Sequence, residues 1–275
     1  MIVVTGATGN VGRPLVRALA AAGEQVTAVS RGVGAPDVPE GVRRVRADLG
    51  DAESLKPALD GADALFLMAS GELLATGGDP SGVLEAARAA GLRRVVYLSS
   101  LGVGTGRHSP GLEDVVKRSG LEWTMLRPGN FASNAFAWAE SVRTRRAVAA
   151  PFGDVALPAV DPEDIAGVAA VALREDGHAG ASYELTGPAA LTPRQQAAAI
   201  GDALGEPVDF VEQTRAEARA QMLHFMPEPV VEVTLGILGT PSPAEQRVSP
   251  DVERVTGRPP RAFAEWAARN VAAFK

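Results

Sequence analysis

The strongest chemical signal in the chain is Thr5-Gly6-Ala7-Thr8-Gly9-Asn10-Val11-Gly12. It follows a short apolar run that begins at Ile2 and leads into the helical stripe Val11-Leu15-Leu19. A glycine loop between a strand and a helix is built to hold a pyrophosphate. Gly6 permits the tight turn, Gly9 lets the backbone approach the phosphates, and Gly12 allows close packing of the helix on the sheet. Amides at the helix start then face the anion, aided by the helix dipole. The spacing is G-x-x-G-x-x-G, and the competing reading is a glycine-rich turn with no ligand.

The kind of dinucleotide is set past the loop, at the end of the second strand. An acid there would bind the ribose 2′-hydroxyl of NAD. The chain carries Ser30-Arg31-Gly32 instead, and the fork of the Arg31 guanidinium suits a 2′-phosphate. NADP(H) is therefore expected, with a solvated loop arginine as the alternative. Asp48-Leu49 is placed to flank the adenine, although Asp48 also fits the N-terminal signal of a helix over 52–59. His108, in the loop Gly104-Thr105-Gly106-Arg107-His108-Ser109-Pro110, is a candidate proton donor, set evenly against a solvated loop histidine. His178 reads as a surface turn. For His224 and Trp138, packing in the core outweighs a role at a pocket.

These residues need a frame. Short apolar runs at Ile2–Thr5, Gln25–Ser30, Ala64–Met68, Arg94–Leu98 and Trp123–Leu126 alternate with amphipathic stretches, and Arg43–Arg46 is a shorter strand candidate. That alternation predicts βαβ units on a parallel sheet buried on both faces. After Phe131 it loosens. Asp161-Pro162-Glu163-Asp164 opens a helix, 181–185 reads as a strand, and Thr192-Pro193 opens a helix that ends at Gly205. The expected fold is α/β, a doubly wound, Rossmann-like parallel sheet over 1–185 with a smaller, mostly helical lobe over 186–275.

Composition narrows the function classes. The 275 residues carry 33 Asp+Glu against 27 Lys+Arg, a net charge of −6, which argues against nucleic acid as a partner. No apolar run is long enough to span a bilayer and no secretory leader is legible, so a cytoplasmic protein without a membrane partner is expected. There is no cysteine, and the three histidines lie far apart, so no metal site is expected. Only three lysines occur, Lys56, Lys117 and Lys275.

The glycine loop, Ser30-Arg31, Leu98-Ser99-Ser100 and the run Ser119 to Phe131 together resemble the NmrA-like family of atypical short-chain dehydrogenase/reductases. Val160 to Ala166 and Tyr183 to Pro188 share that look, so the resemblance spans essentially the whole chain. Within the family it is most similar to type-2 NAD(P)H:quinone oxidoreductases. The resemblance implies that Gly6, Thr8, Gly9, Asn10 and Val11 hold the pyrophosphate and Arg31 the 2′-phosphate. It implies that Met68, Ala69 and Ser70 pass the second ribose. Ser99, Ser100, Pro128, Gly129 and Asn130 would line the nicotinamide pocket, with Ser100, Phe131 and Asn134 toward substrate.

One departure carries weight. Ordinary dehydrogenases of this kind use a Tyr-x-x-x-Lys pair, and neither Tyr97 nor Tyr183 has a lysine four residues on. Lys117 is read as a surface lysine. Reduction of a quinone or related aromatic polyketide by direct hydride transfer is still allowed, because the reduced ring is a stabilised anion that solvent protonates. The other class is an NADP-sensing regulator without catalysis. Monomer and homodimer both stay open, as does the natural substrate.

Overall fold

The computed structural model describes residues 1–32, 38–69 and 79–275. Two compact units divide the chain. The first comprises Met1–Pro128, Pro162–Leu185 and Arg254–Gly257, and the second Gly129–Asp161, Thr186–Glu253 and Arg258–Lys275. The expected single break at 185 is replaced by repeated crossings, with residues 129–161 joining the second unit.

In the first unit, β1 (Ile2–Val4), α1 (Gly12–Ala21), β2 (Val26–Ser30), β3 (Arg43–Arg46) and α2 (Ala52–Leu59) are followed by β4 (Ala64–Leu67) and α3 (Ser81–Ala89). Then come β5 (Arg94–Leu98), the short α4 (Leu101–Gly104), α5 (Gly111–Arg118) and β6 (Glu122–Pro128). The strands form a seven-stranded sheet in the order β10-β6-β5-β4-β1-β2-β3, with β10 spanning Ala181–Leu185. Every pairing in it is parallel. All strand carboxyl ends therefore share one edge, and the order reverses between β1 and β4, where open α/β sheets bind ligands.

The apolar runs explain the layers. All four residues of β4 are buried, as are all three of β1, because helices cover both faces. Leu55, Leu59, Val83, Leu84 and Val116 pack on one face, and each such side chain contributes about 1.5–3 kcal/mol by leaving water. On α1 the buried stripe is Gly12, Leu15, Val16 and Leu19, and this helix packs against Pro162–Arg174. Edge strand β3 exposes Arg43, Arg44 and Arg46, charges that block pairing with another sheet.

In the second unit, β9 (Leu157–Val160) pairs in parallel with β7 (Asn130–Phe131) and antiparallel with β11 (Ala190–Leu191). A second pair joins β8 (Ala147–Pro151) to β12 (Asp209–Gln213). Its core holds Phe263, Trp266 and Phe274, with Trp138 packed on it. Thr192 caps the helix Pro193–Leu204 in a capping box with Gln195, and Gly205 ends it at φ 74°. The expectation that His224 lies in core is corrected. His224 and Phe225 are exposed, because only Met222 and Met226 of that segment reach the small cluster around Val231 and Leu235.

Candidate functional site

The loop after β1 is held from both sides. Thr5, buried, donates its hydroxyl to the Phe66 carbonyl at 3.0 Å and accepts from the Met68 amide at 2.9 Å, tying the ends of β1 and β4. The Ala7 amide donates to the Val29 carbonyl, and Gly9 closes the turn onto Gly6 at 2.9 Å. Gly6 takes φ 61°, open chiefly to glycine. A Cβ on Gly12 would lie 2.1 Å from the Gly6 oxygen, so this glycine lets α1 close onto the loop backbone rather than onto the sheet. Val11 at the N-cap of α1 makes no side-chain cap. A helix start left uncapped beside a tight glycine turn fits a bound pyrophosphate.

At the ends of β2 and β3 a small hollow of about 60 Å³ is lined by Thr8, Ser30, Gly32, Arg44 and Arg46, among others. Among the described residues no acid lines it, which suits a 2′-phosphate. Arg31 is exposed at the end of β2. Arg44 and Arg46 were not singled out from the sequence. The signal was their alternation on a strand paired to β2, which puts Arg44 beside Ala28 and Arg46 beside Ser30. Asp48 is exposed and accepts from the Gly50 amide. The N-cap of α2 is Asp51, which receives the Glu53 and Ser54 amides, so the capping alternative for Asp48 is corrected by three residues. Leu49 packs on the sheet core.

Along the same edge, half-buried Met68 and Ala69 follow β4, and Met68 bends back over the loop, its methyl against Gly6. Ser70 lies outside the described residues. Ser99 and Ser100 follow β5. The Ser99 amide donates to the Leu126 carbonyl at 2.8 Å, fixing the turn against β6. Ser100 caps α4 by accepting from Gly102, and its hydroxyl lies 3.1 Å from His108 Nδ1. The structure thus joins His108 to Ser100, two residues the sequence proposed separately, with the imidazole exposed and packed over Gly102.

Glu113 on α5 was missed entirely. Its side chain is 1% exposed, yet both oxygens are engaged. Oε1 accepts from Ser99 Oγ at 2.6 Å and Arg127 Nε at 2.8 Å, and Oε2 accepts from Arg127 Nη2 at 2.6 Å. Burial pushes this carboxyl up, but the hydrogen bonds from Arg127 and Ser99 and the charges of Arg127 and Lys117 outweigh it and hold the group below the usual carboxylate range. Lys117 is a surface lysine, exposed, yet its ammonium lies 3.5 Å from Glu113 and over the Trp123 ring. Glu113 and Lys117 therefore stand at the four-residue spacing that Tyr and Lys hold in ordinary dehydrogenases. Tyr97 is buried within β5, and burial, with the Glu113 charge, pushes its phenol up to about 12.

Pro128 closes β6 in the first unit. Gly129, Asn130, Phe131 and Asn134 belong to the second, where Asn130 accepts from the Asn134 amide at 2.8 Å and Phe131 leads into the 3₁₀ turn Ala132–Trp138. His178 does more than cap a turn, since Nδ1 lies 2.8 Å from the Tyr183 hydroxyl. No helix among the described residues is long and apolar enough to cross a membrane.

Residues 6–176 match a family described as NAD(P)H-binding. Over the full chain and 99% of the relative, the sequence is 38% identical to the (4-alkanoyl-5-oxo-2,5-dihydrofuran-3-yl)methyl phosphate reductase of Streptomyces griseus. The NADPH complex of the NADPH-dependent quinone oxidoreductase from Escherichia coli superposes with a TM-score of 0.78 at 28% identity, covering 98% of this chain and 99% of that one. NmrA, a negative transcriptional regulator solved with NADP, superposes at 0.74 and 21% identity, covering 98% and 95%, a likeness of fold.

Proposed function

Since the chain belongs to the NAD(P)H-binding family, as an NADP(H)-dependent oxidoreductase of the NmrA-like, quinone-reductase type, we propose that it reduces a quinone or related aromatic polyketide by direct hydride transfer. One observation carries this reading. Among the described residues at the strand edge, no Tyr–Lys pair stands ready as an obligate acid: Tyr97 is a buried phenol, Glu113 is held ionised, and exposed His108 beside Ser100 is at most an auxiliary donor. A quinone-like acceptor asks for none, because the ring left after hydride addition is a delocalised anion that water can protonate.

Bound NADPH supplies the hydride, and the remaining work is positioning. Gly6, Thr8, Gly9, Asn10 and Val11 would hold the pyrophosphate, Arg31 with Arg44 and Arg46 the 2′-phosphate, and Ser99 and Ser100 the nicotinamide end. His108, hydrogen-bonded to Ser100, would assist by giving a proton to the reduced acceptor. A second acceptor class is supported by the full-length likeness to the furanone phosphate reductase. A conjugated lactone also yields a stabilised anion, an enolate, after hydride addition, so the same residues serve both.

The test is NADPH oxidation by the purified protein against a panel of quinones and alkanoyl furanone phosphates. Turnover with quinones, falling no more than about a hundredfold in His108→Ala, the low end for general acid catalysis, is the expected result. Binding of NADPH with no turnover across the panel overturns the reading in favour of a sensor. Turnover with furanones alone moves the substrate to the lactone class.

A further inference from the structure

We propose that Glu113 is a positioning residue that, clasped by Arg127, orients the Ser99 hydroxyl so that its oxygen serves only as an acceptor for the carboxamide N–H of nicotinamide. This rests on the reading that Ser99 lines the nicotinamide end of the cofactor site.

The argument begins with the arrangement's cost. A charged carboxylate that is almost wholly buried requires several kcal/mol of compensation, and well-packed apolar residues often hold such a place equally well. The ion pair is therefore poorly explained by stability alone. What an apolar pair cannot do is fix a hydroxyl proton. A serine hydroxyl rotates among its staggered positions and can donate or accept. Here the 2.6 Å contact from Ser99 Oγ to Glu113 Oε1 commits the proton inward, since a carboxylate only accepts.

The geometry holds this commitment from three sides. Arg127 takes both Glu113 oxygens in a bidentate clasp and so prevents the carboxylate from turning away. The Arg127 guanidinium also lies close against Gly104, where an added Cβ would stand 3.3 Å from Nη1. The Ser99 amide is tied to Leu126, which removes backbone freedom at the same residue. One buried carboxylate thus joins the ends of β5 and β6 to the first turn of α5, and leaves Ser99 with only lone pairs to offer a ligand. The carboxamide of nicotinamide has an N–H donor that matches them.

The measurement is binding of NADP⁺ against its 3-acetylpyridine analogue, which replaces the carboxamide by a methyl ketone that accepts but does not donate. By calorimetry the protein should prefer NADP⁺ by about tenfold, the scale of one hydrogen bond. Ser99→Ala should lose the preference. The paired variant Glu113→Leu with Arg127→Met, which leaves no orphan charge, should lose it to the same extent. Adding Ser99→Ala to that pair should change nothing further. Should the pair not fold, Glu113→Asp, too short to reach Ser99 and Arg127 together, gives the same comparison. The proposal is overturned if the unaltered protein shows no preference, or if the Glu113 variants keep what Ser99→Ala loses. Because only binding is read, a quinone panel without turnover sinks the proposed activity but not this role, and turnover with an unchanged preference does the reverse.

Discussion

Arg44 and Arg46 line the hollow at the ends of β2 and β3, Arg31 is exposed at the end of β2, and no acid among the described residues lines that hollow. If these cations hold a 2′-phosphate, Arg31→Ala and Arg46→Ala should each weaken NADPH by about 1–3 kcal/mol, the range for hydrogen bonds to charged groups, and spare NADH. Calorimetry with both cofactors checks this, and equal weakening of the two refutes the assignment. Glu113 makes a separate forecast. Its carboxyl titrates below the ordinary 4.5 in the folded protein, so the stabilisation it provides is present above that value and lost as the pH falls through the folded value. The paired Leu/Met variant should accordingly melt with a shallower decline as the pH falls below 4.5 than the unaltered protein.

The glycine loop and α1 act as one element. Gly9 and Gly12 look alike in the motif but face different obstacles. A Cβ on Gly9 meets the Gly6 oxygen at 3.2 Å, whereas one on Gly12 meets it at 2.1 Å, with further backbone atoms within 3 Å. Gly9→Val should abolish dinucleotide binding and leave the melting temperature nearly unchanged, because its branched side chain fills the approach of the phosphates. Gly12→Ala should destabilise the protein by about 1–3 kcal/mol, the usual cost of overpacking, since backbone cannot step aside as a side chain can. Thermal melts with and without NADP⁺ separate these effects. A Gly12→Ala protein as stable as the parent would show that α1 is free to shift.

The division into two units bears on the whole molecule. The glycine loop, the arginine hollow and the Ser99–Glu113–Arg127 clasp all belong to the unit built on the seven-stranded sheet. A ligand that binds only the folded state stabilises it by about 2.7 kcal/mol at a hundred times its Kd, and at this chain length that corresponds to roughly 5–10 °C. NADP⁺ should therefore raise the melting temperature by that amount. If the units melt separately, the step belonging to the sheet should move, as read by calorimetric scanning. An equal shift with NAD⁺ at the same concentration would contradict the choice of cofactor.

Much of this was legible in one dimension because it is encoded locally. The buried strands of the sheet announce themselves as short apolar runs. The pyrophosphate loop shows in glycine spacing, Arg31 in the missing acid after β2, and the capping box at Thr192 in residues three apart. Fold class and cofactor follow from such short-range patterns. Glu113 is the opposite case. On paper it is one more acid in the first turn of a helix, and nothing near it marks a buried charge. Its partners Ser99, just past the end of β5, and Arg127, on β6, each lie 14 residues away. Likewise Arg44 and Arg46 join the hollow only because β3 pairs with β2, and residues 129–161 join the second unit through β9 pairing with β11 and β8 with β12. Pairing register and burial are set by long-range packing of the whole sheet, and for that reason only the tertiary structure decides which charges meet.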